Sequence, residues 1–257
     1  MAESYHSILE KIPMKQTLTG ALAAFLILCL AARCCTAEAG LPRFFTADYS
    51  LYSTGARIAA MTRTFSVSPQ GGYRYRSETR PVGFLALIRR DIITESSEWR
   101  FDGKEIKPDF YSYRHAGGKQ ERQVEIRFNW ENEQITTTVN GSSWRMRMQP
   151  RITDKLLYQL SIMRDLALGM TDISYTVADG GKLKQYDFVT LGKEIVQTPM
   201  GDFHALKLER FKPGSERSTV LWCAPNLDYL PIKVETIEPD GATTIAVLES
   251  LSVTTED

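Results

Sequence analysis

Apolar and polar residues alternate with a period of two along most of the chain from Phe45 onward. Phe45, Ala47, Tyr49 and Leu51 are set against Thr46, Asp48, Ser50 and Tyr52, the pattern of a strand with one dry face. Val124, Ile126, Phe128 and Trp130 alternate with Glu125, Arg127 and Asn129, and Ile135, Thr137 and Val139 follow after Glu131-Asn132-Glu133. Asn140-Gly141, a strong hairpin signal, leads into Trp144, Met146 and Met148, so three consecutive strands form a meander. Turn pairs recur at Pro69–Gly72, Asp102-Gly103, Gly117-Gly118, Asp179–Gly181, Met200–Asp202, Pro213-Gly214 and Asp240-Gly241. The spacing predicts roughly a dozen short strands in one domain, as in a sandwich or barrel.

One stretch breaks the period. From Thr153 to Leu168, Leu156, Leu157, Leu160, Met163, Leu166 and Ala167 recur at helical spacing, after Pro150 and before Gly169. Thr153 is the expected N-cap, with Asp154 in the first turn. The helix has one broad apolar face, and the available partner is the inner face of the curved sheet. The expected fold is therefore all-β, mainly antiparallel: a curled sheet or an incomplete or closed β-barrel, with one main helix packed in or over its mouth.

The amino-terminal stretch reads as a leader. Lys15 precedes an apolar run from Thr17 to Ala32, and Ala37 and Ala39 stand at the −3 and −1 positions before Gly40. That order is what export machinery and signal peptidase recognise. The run is 16 residues, just short of the roughly 17–25 a bilayer span requires. The expected layout is residues 1–39 as signal peptide, with Met14 a better initiator than Met1, and 40–257 as a single mainly-β domain. No stable membrane span remains after cleavage, and the expected location is the periplasm. A retained transmembrane anchor is the rival reading, and an acylated Cys34 a further one, although Arg33 does not suit the small-residue groove of a lipoprotein peptidase.

Composition then narrows the chemistry. Acidic and basic residues number 31 each, and removing three of each with the leader leaves 28 against 28. A nucleic-acid binder needs a basic excess, so that partner is excluded. Cys223 is the lone cysteine of the 40–257 segment and reads as a small buried hydrophobe on a strand. His115 and His204 are the only histidines there, short of the three or four ligands a metal site needs. There is no nucleophile elbow, dinucleotide fingerprint or phosphate loop. No catalytic residue, metal or cofactor is expected. Arg74, Arg76 and Arg80 share one strand face, and Arg145 and Arg147 another, read as an outer surface paired with acids.

The carboxy-terminal half carries a more specific string. Thr198–Phe203, Lys207–Arg210, Leu221-Trp222 and Pro225–Glu235, with Gly103, Pro108, Tyr111 and Thr153–Leu160 upstream, resemble domain-of-unknown-function family 3108. The resemblance covers roughly residues 45–253. It implies an uncharacterised exported family of mainly β architecture, with no catalytic residues to carry over. Its signature residues Trp222, Pro225, Leu227, Tyr229, Leu230 and Pro231 read as scaffold. Trp222 anchors a strand, Pro225 opens a turn, and Pro231 suits an edge or a strand start. A more distant likeness, by architecture alone, is to the periplasmic lipoprotein carriers.

These readings converge on a non-enzymatic periplasmic protein that binds an apolar or amphipathic, lipid-like envelope component. Phe128, Trp130, Trp144, Met146 and Met148 on the sheet, with Leu156, Leu160 and Met163 on the helix, are the candidate lining residues. Two alternatives stay open: an assembly factor that contacts an envelope protein partner through its surface, and a glycan hydrolase using paired carboxylates among Asp187, Glu194, Glu209 and Glu235.

Overall fold

A computed structural model describes residues 40–118, 121–211 and 217–254, within a compact unit spanning Glu38–Asp257. The expected leader and the Pro213-Gly214 turn lie outside the described residues.

The alternating pattern resolves into fifteen strands of a single sheet. They are β1 (Phe45–Ser53), β2 (Ala56–Val67), β3 (Tyr73–Pro81), β4 (Ile92–Phe101), β5 (Ile106–Ala116), β6 (Arg122–Asn129), β7 (Gln134–Val139) and β8 (Ser142–Arg147). There follow β9 (Ile152–Asp154), β10 (Ile173–Asp179), β11 (Lys182–Thr198), β12 (Gly201–Phe211), β13 (Ser218–Ala224), β14 (Leu230–Ile237) and β15 (Thr243–Val253). Two helices interrupt them, α1 (Phe84–Ile88) and α2 (Tyr158–Ala167). The order across the sheet is β8-β7-β6-β5-β4-β3-β2-β1-β15-β14-β13-β12-β11-β10-β9. Every pair is antiparallel except β9 with β10. The first and last strands of the described chain thus pair in mid-sheet, Phe45 opposite Val253 and Ser53 opposite Thr244.

The two edge strands, β8 and β9, are neighbours in sequence. Fifteen strands laid flat at about 4.8 Å spacing would hold these edges roughly 67 Å apart. The four residues 148–151 that join them reach at most about 18 Å. So the sheet must curl until its edges approach, yet no ladder joins β8 to β9 and the curl stays unclosed. At one point β8 approaches the turn next to the other edge: a Cβ built at Gly181, between β10 and β11, would sit 3.4 Å from the Trp144 ring. The hairpin signals hold locally. Asn140 and Gly141 both have positive φ (47° and 89°), as a type I′ turn requires.

The curl encloses α2. Eight of its ten residues are buried, more than the single broad face read from spacing. Leu160 and Met163 pack into a cluster with Phe65, Trp99 and Ile126, while Tyr158, Ile162 and Leu166 pack with Ile173, Phe188 and Leu221. Polar contacts fix its position. The guanidinium of Arg63, itself buried on β2, donates to Gln159 Oε1 and stands over the Tyr49 ring.

The start of the helical region differs from the sequence expectation. Ile152–Asp154 add to β10 as a short parallel strand, and α2 begins only at Tyr158. Thr153 is not the cap: the N-cap is Leu157, with no side-chain cap, and Asp154 instead braces the preceding turn, its Oδ1 accepting the backbone N–H groups of Leu156 (2.9 Å) and Leu157 (2.8 Å). Ser97 on β4 donates to the other oxygen. Strand pairing forces Thr153 and Asp154 to opposite sides, and only Asp154 looks toward the helix start. Helix α1 was not anticipated, because Phe84–Ile88 is too short for helical periodicity to register.

Two substitutions probe this arrangement. Leu160→Ala should leave a central cavity and lower the unfolding free energy by about 2–5 kcal/mol in urea titrations. Asp154 should impose a pH dependence. Burial raises its pKa to about 6, against the hydrogen bonds that lower it, whereas an unfolded aspartate titrates near 4. The folded state therefore binds the proton more tightly. Its contribution to stability is fully present below about pH 4 and is lost as pH rises to about 6, in total on the order of 3 kcal/mol. The difference in stability between wild type and Asp154→Asn should show that slope.

Candidate functional site

Where the sheet fails to close, a cavity of about 270 Å³ opens beside the 148–151 link. Each wall comes from a different element: the link with Pro150 and Arg151, β9 with Ile152 and Thr153, α2 with Ser161, Arg164 and Asp165, and β10 with Tyr175. Ile106 and Trp130 close the far side. Trp130 is held in place by its indole N–H, which donates to Pro108 O at 2.8 Å, and by Lys107 over its ring.

The polar side is built around Asp165. The Arg151 guanidinium and the Tyr175 hydroxyl (2.7 Å) both donate to its Oδ2, and Arg164 Nη1 stands 3.6 Å from Oδ1. Arg151 Nε donates to Ser174 O at 2.7 Å, and its guanidinium lies 5.0 Å from the Tyr175 ring centre. Arg151 has positive φ (51°), uncommon for a side chain of this size, and its backbone C=O accepts the Thr176 N–H. Burial alone would lower the Arg151 pKa, but Asp165 and Tyr175 outweigh it and the pKa is raised. Burial, with Asp165 adding to it, pushes the Tyr175 hydroxyl far above its ordinary range. Asp165 is thus a committed counter-ion with both oxygens engaged by cations or a hydroxyl.

Arg164 is less fully used. Its Nη2 donates to Lys104 O at 2.8 Å and its guanidinium lies over Phe101, but its Nε is buried and has no acceptor. The Thr153 hydroxyl, on the same cavity, is likewise buried without a partner. Among the described residues, no group of three or more His, Cys, Asp or Glu is arranged to hold a metal.

The family profile described as "Protein of unknown function (DUF3108)" matches residues 47–247. The chain belongs to the DUF3108 family. No curated protein matches this DUF3108 chain. Among solved structures, a beta-barrel-like protein of domain of unknown function DUF1849 from Brucella abortus aligns with a TM-score of 0.55 at 9% identity, over 84% of this chain and 100% of that one. That likeness extends to the fold alone. Two others align at a TM-score of 0.34 and 11% identity. One is a candidate lipoprotein from Parabacteroides distasonis, with 86% of this chain and 100% of that one covered. The second is a candidate exported protein with a YmcC-like fold from Bacteroides fragilis, with 82% and 99% covered.

The DUF3108 signature residues lie away from the seam cavity. Trp222 is buried, its N–H donates to Glu194 Oε2 at 2.7 Å, and Lys233 stands over its ring. Pro225–Leu227 forms a 3-10 turn, Asp228 and Tyr229 follow with positive φ, and Leu230 is buried. Pro231 is the second residue of β14, beside the register shift at Trp222/Cys223, where its missing N–H costs no regular ladder bond. Cys223 is fully buried. The outer arginines pair with acids, Arg74 with Glu98 and both Arg76 and Arg80 with Glu78.

The eight candidate lining residues do not share one site. Phe128, Leu156, Leu160 and Met163 are buried in the packed interior, with Met146 and Met148 half-buried against it. Trp130 lines the seam cavity. Trp144 was expected inward but is 47% exposed, because β8 is an edge strand with nothing paired beyond it. Sequence reasoning missed Arg151, Arg164, Asp165 and Tyr175. The available signal was the polar stripe Ser161, Arg164 and Asp165 (i, i+3, i+4) on a helix whose one other polar side chain in 158–167, besides the Tyr158 hydroxyl, is Gln159.

A double-mutant cycle on Arg151→Met and Asp165→Asn should give a coupling of about 1–3 kcal/mol in unfolding free energy, as for hydrogen bonds between charged groups.

Proposed function

We propose that this protein is an exported, non-enzymatic binder that holds a small amphipathic, acidic component of the cell envelope in the seam cavity. The observation that carries the reading is a cavity lined by both Thr153 and Arg164, whose Oγ1 and Nε lie buried without a partner just behind its surface, and faced by Trp130 and Ile106. A buried donor left without an acceptor costs about 1–3 kcal/mol, and a small turn of either side chain toward an acidic head group in the cavity would relieve that cost while the apolar part of the ligand met the indole. The volume, about 270 Å³, lies at the lower edge of the roughly 300–1,000 Å³ of small-molecule sites. It suits a head group with a short tail. The wide interior, once the expected lodging for acyl chains, is occupied by Leu156, Leu160 and Met163 of the chain's own helix.

A non-catalytic role is supported by the setting of Asp165, whose Oδ2 accepts from Arg151 and Tyr175 and whose Oδ1 faces Arg164, an arrangement that braces the helix. Export to the periplasm is supported by the Lys15, Thr17–Ala32 and Ala37-Glu38-Ala39 order of the leader.

Calorimetric titration with octyl phosphate and octanoate tests the reading. Binding should be saturable in the wild type and weakened about ten- to a hundredfold by Arg164→Gln, whose removal deletes a charge-assisted hydrogen bond. Equal affinity in the two proteins, or no binding to a wild type that melts cooperatively, would overturn it.

A further inference from the structure

The connection between β3 and β4 presents an apolar surface outward. In α1, Phe84, Leu87 and Ile88 are 73%, 77% and 64% exposed, and no residue of the helix is buried. These three stand at i, i+3 and i+4, so they share one side of the turn. Leu85, between them, is half-buried. A surface helix ordinarily turns its apolar stripe to the core; α1 does the reverse.

The segment is firmly attached. Gly83 turns into it with φ 60°, Val82 N–H donates to Ile58 O at 3.1 Å, and the next hairpin presses against its exit. A Cβ at Gly117, between β5 and β6, would come within 2.3 Å of Arg90 O, so only glycine allows that approach. The apolar side chains are therefore held out by a braced backbone.

Basic residues surround them. Arg89 and Arg90 follow directly and both are exposed, and Arg57 is exposed beside Ile58 at the same end of the sheet. Arg80 completes the group and pairs with Glu78, and Arg89 stands 3.6 Å from Asp91. Arg57 and Arg90 make no ion pair among the described residues. An exposed apolar cluster ringed by arginines matches the two layers of a lipid surface: side chains that enter the acyl boundary, and cations that meet anionic head groups.

We infer that the β3–β4 tip is a membrane-contact element, inserting Phe84, Leu87 and Ile88 into an anionic lipid surface while Arg57, Arg89 and Arg90 hold the head groups. The inference is independent of the seam cavity and stands or falls apart from it.

Flotation of the full chain with vesicles of phosphatidylethanolamine and phosphatidylglycerol, against vesicles of phosphatidylcholine alone, tests it. The wild type should favour the anionic vesicles. Phe84→Asp/Leu87→Asp should lower the partition about tenfold or more, and Arg89→Glu/Arg90→Glu should remove the anionic preference. The amino-terminal apolar segment is common to every variant and cannot produce these differences. A Phe84→Trp protein supplies a second readout, since its added emission should shift to the blue and be quenched by brominated lipid. Equal partition of wild type and both double variants, or an added tryptophan that stays water-exposed on vesicles, overturns the inference. So does a protein that co-purifies stoichiometrically with the wild type but not with the tip variants, when no chain binds vesicles.

Discussion

The short link between β8 and β9 is the constraint from which the rest of the structure follows. It binds the two outermost strands of a fifteen-strand sheet to within a few residues of one another. A sheet of that width can satisfy the link only by rolling up, and right-handed strand twist makes rolling the natural response. The roll creates an interior too wide for the side chains of the sheet alone. Helix α2 follows the link almost immediately and fills that space, so the device that forces the curl also delivers its contents. The roll stops short of a closed ladder, and the cavity lies in the remaining gap, beside the link itself.

Burying a helix on nearly every side raises the question of what sets its rotation, since apolar packing alone tolerates several solutions. Three polar contacts answer it. Asp154 with Ser97 fixes the entry, Arg63 with Gln159 the first turn, and Arg151 with Asp165 the exit. Each joins the helix region to a different strand or link, and each is buried enough that a rotated helix would leave a charge or amide without a partner. Arg63 Nε, Arg164 Nε and Thr153 Oγ1 are the groups of this polar set left without a partner, and of these three residues Arg164 and Thr153 line the seam cavity.

Much of this was legible in the alternation of residues. The meander of β6 to β8, the Asn140-Gly141 turn and the carboxy-terminal signature were visible because period-two patterning and turn chemistry are local. The helix was visible too, but its surroundings were not: a single polar stripe looks the same whether it faces solvent or a crowded seam. Trp144 shows the limit most plainly. Its alternation assigns it to the inner face, yet whether that face is covered depends on which strand is last, a property of topology that no window of residues contains. Arg151 and Tyr175 escaped for a related reason, since two dozen residues separate groups that meet only through the parallel pairing of β9 with β10.

The pocket and the apolar tip belong to opposite ends of β4, one beside the turn that follows it and the other on the connection before it. Ten residues at about 3.3 Å each put these features some 30 Å apart, so a chain seated on lipid by its tip would hold the cavity clear of the head groups.

The pairing of β1 with β15 has a consequence for how the molecule comes into being. The ladder at the centre of the sheet joins residues about two hundred positions apart, Thr46 with Ser252 for example. Until the final strand is available, the two halves of the sheet have no common seam and the roll cannot be completed. Such long-range closure makes for slow folding. A polypeptide whose sheet closes only once β15 is in place remains open and threadable until then.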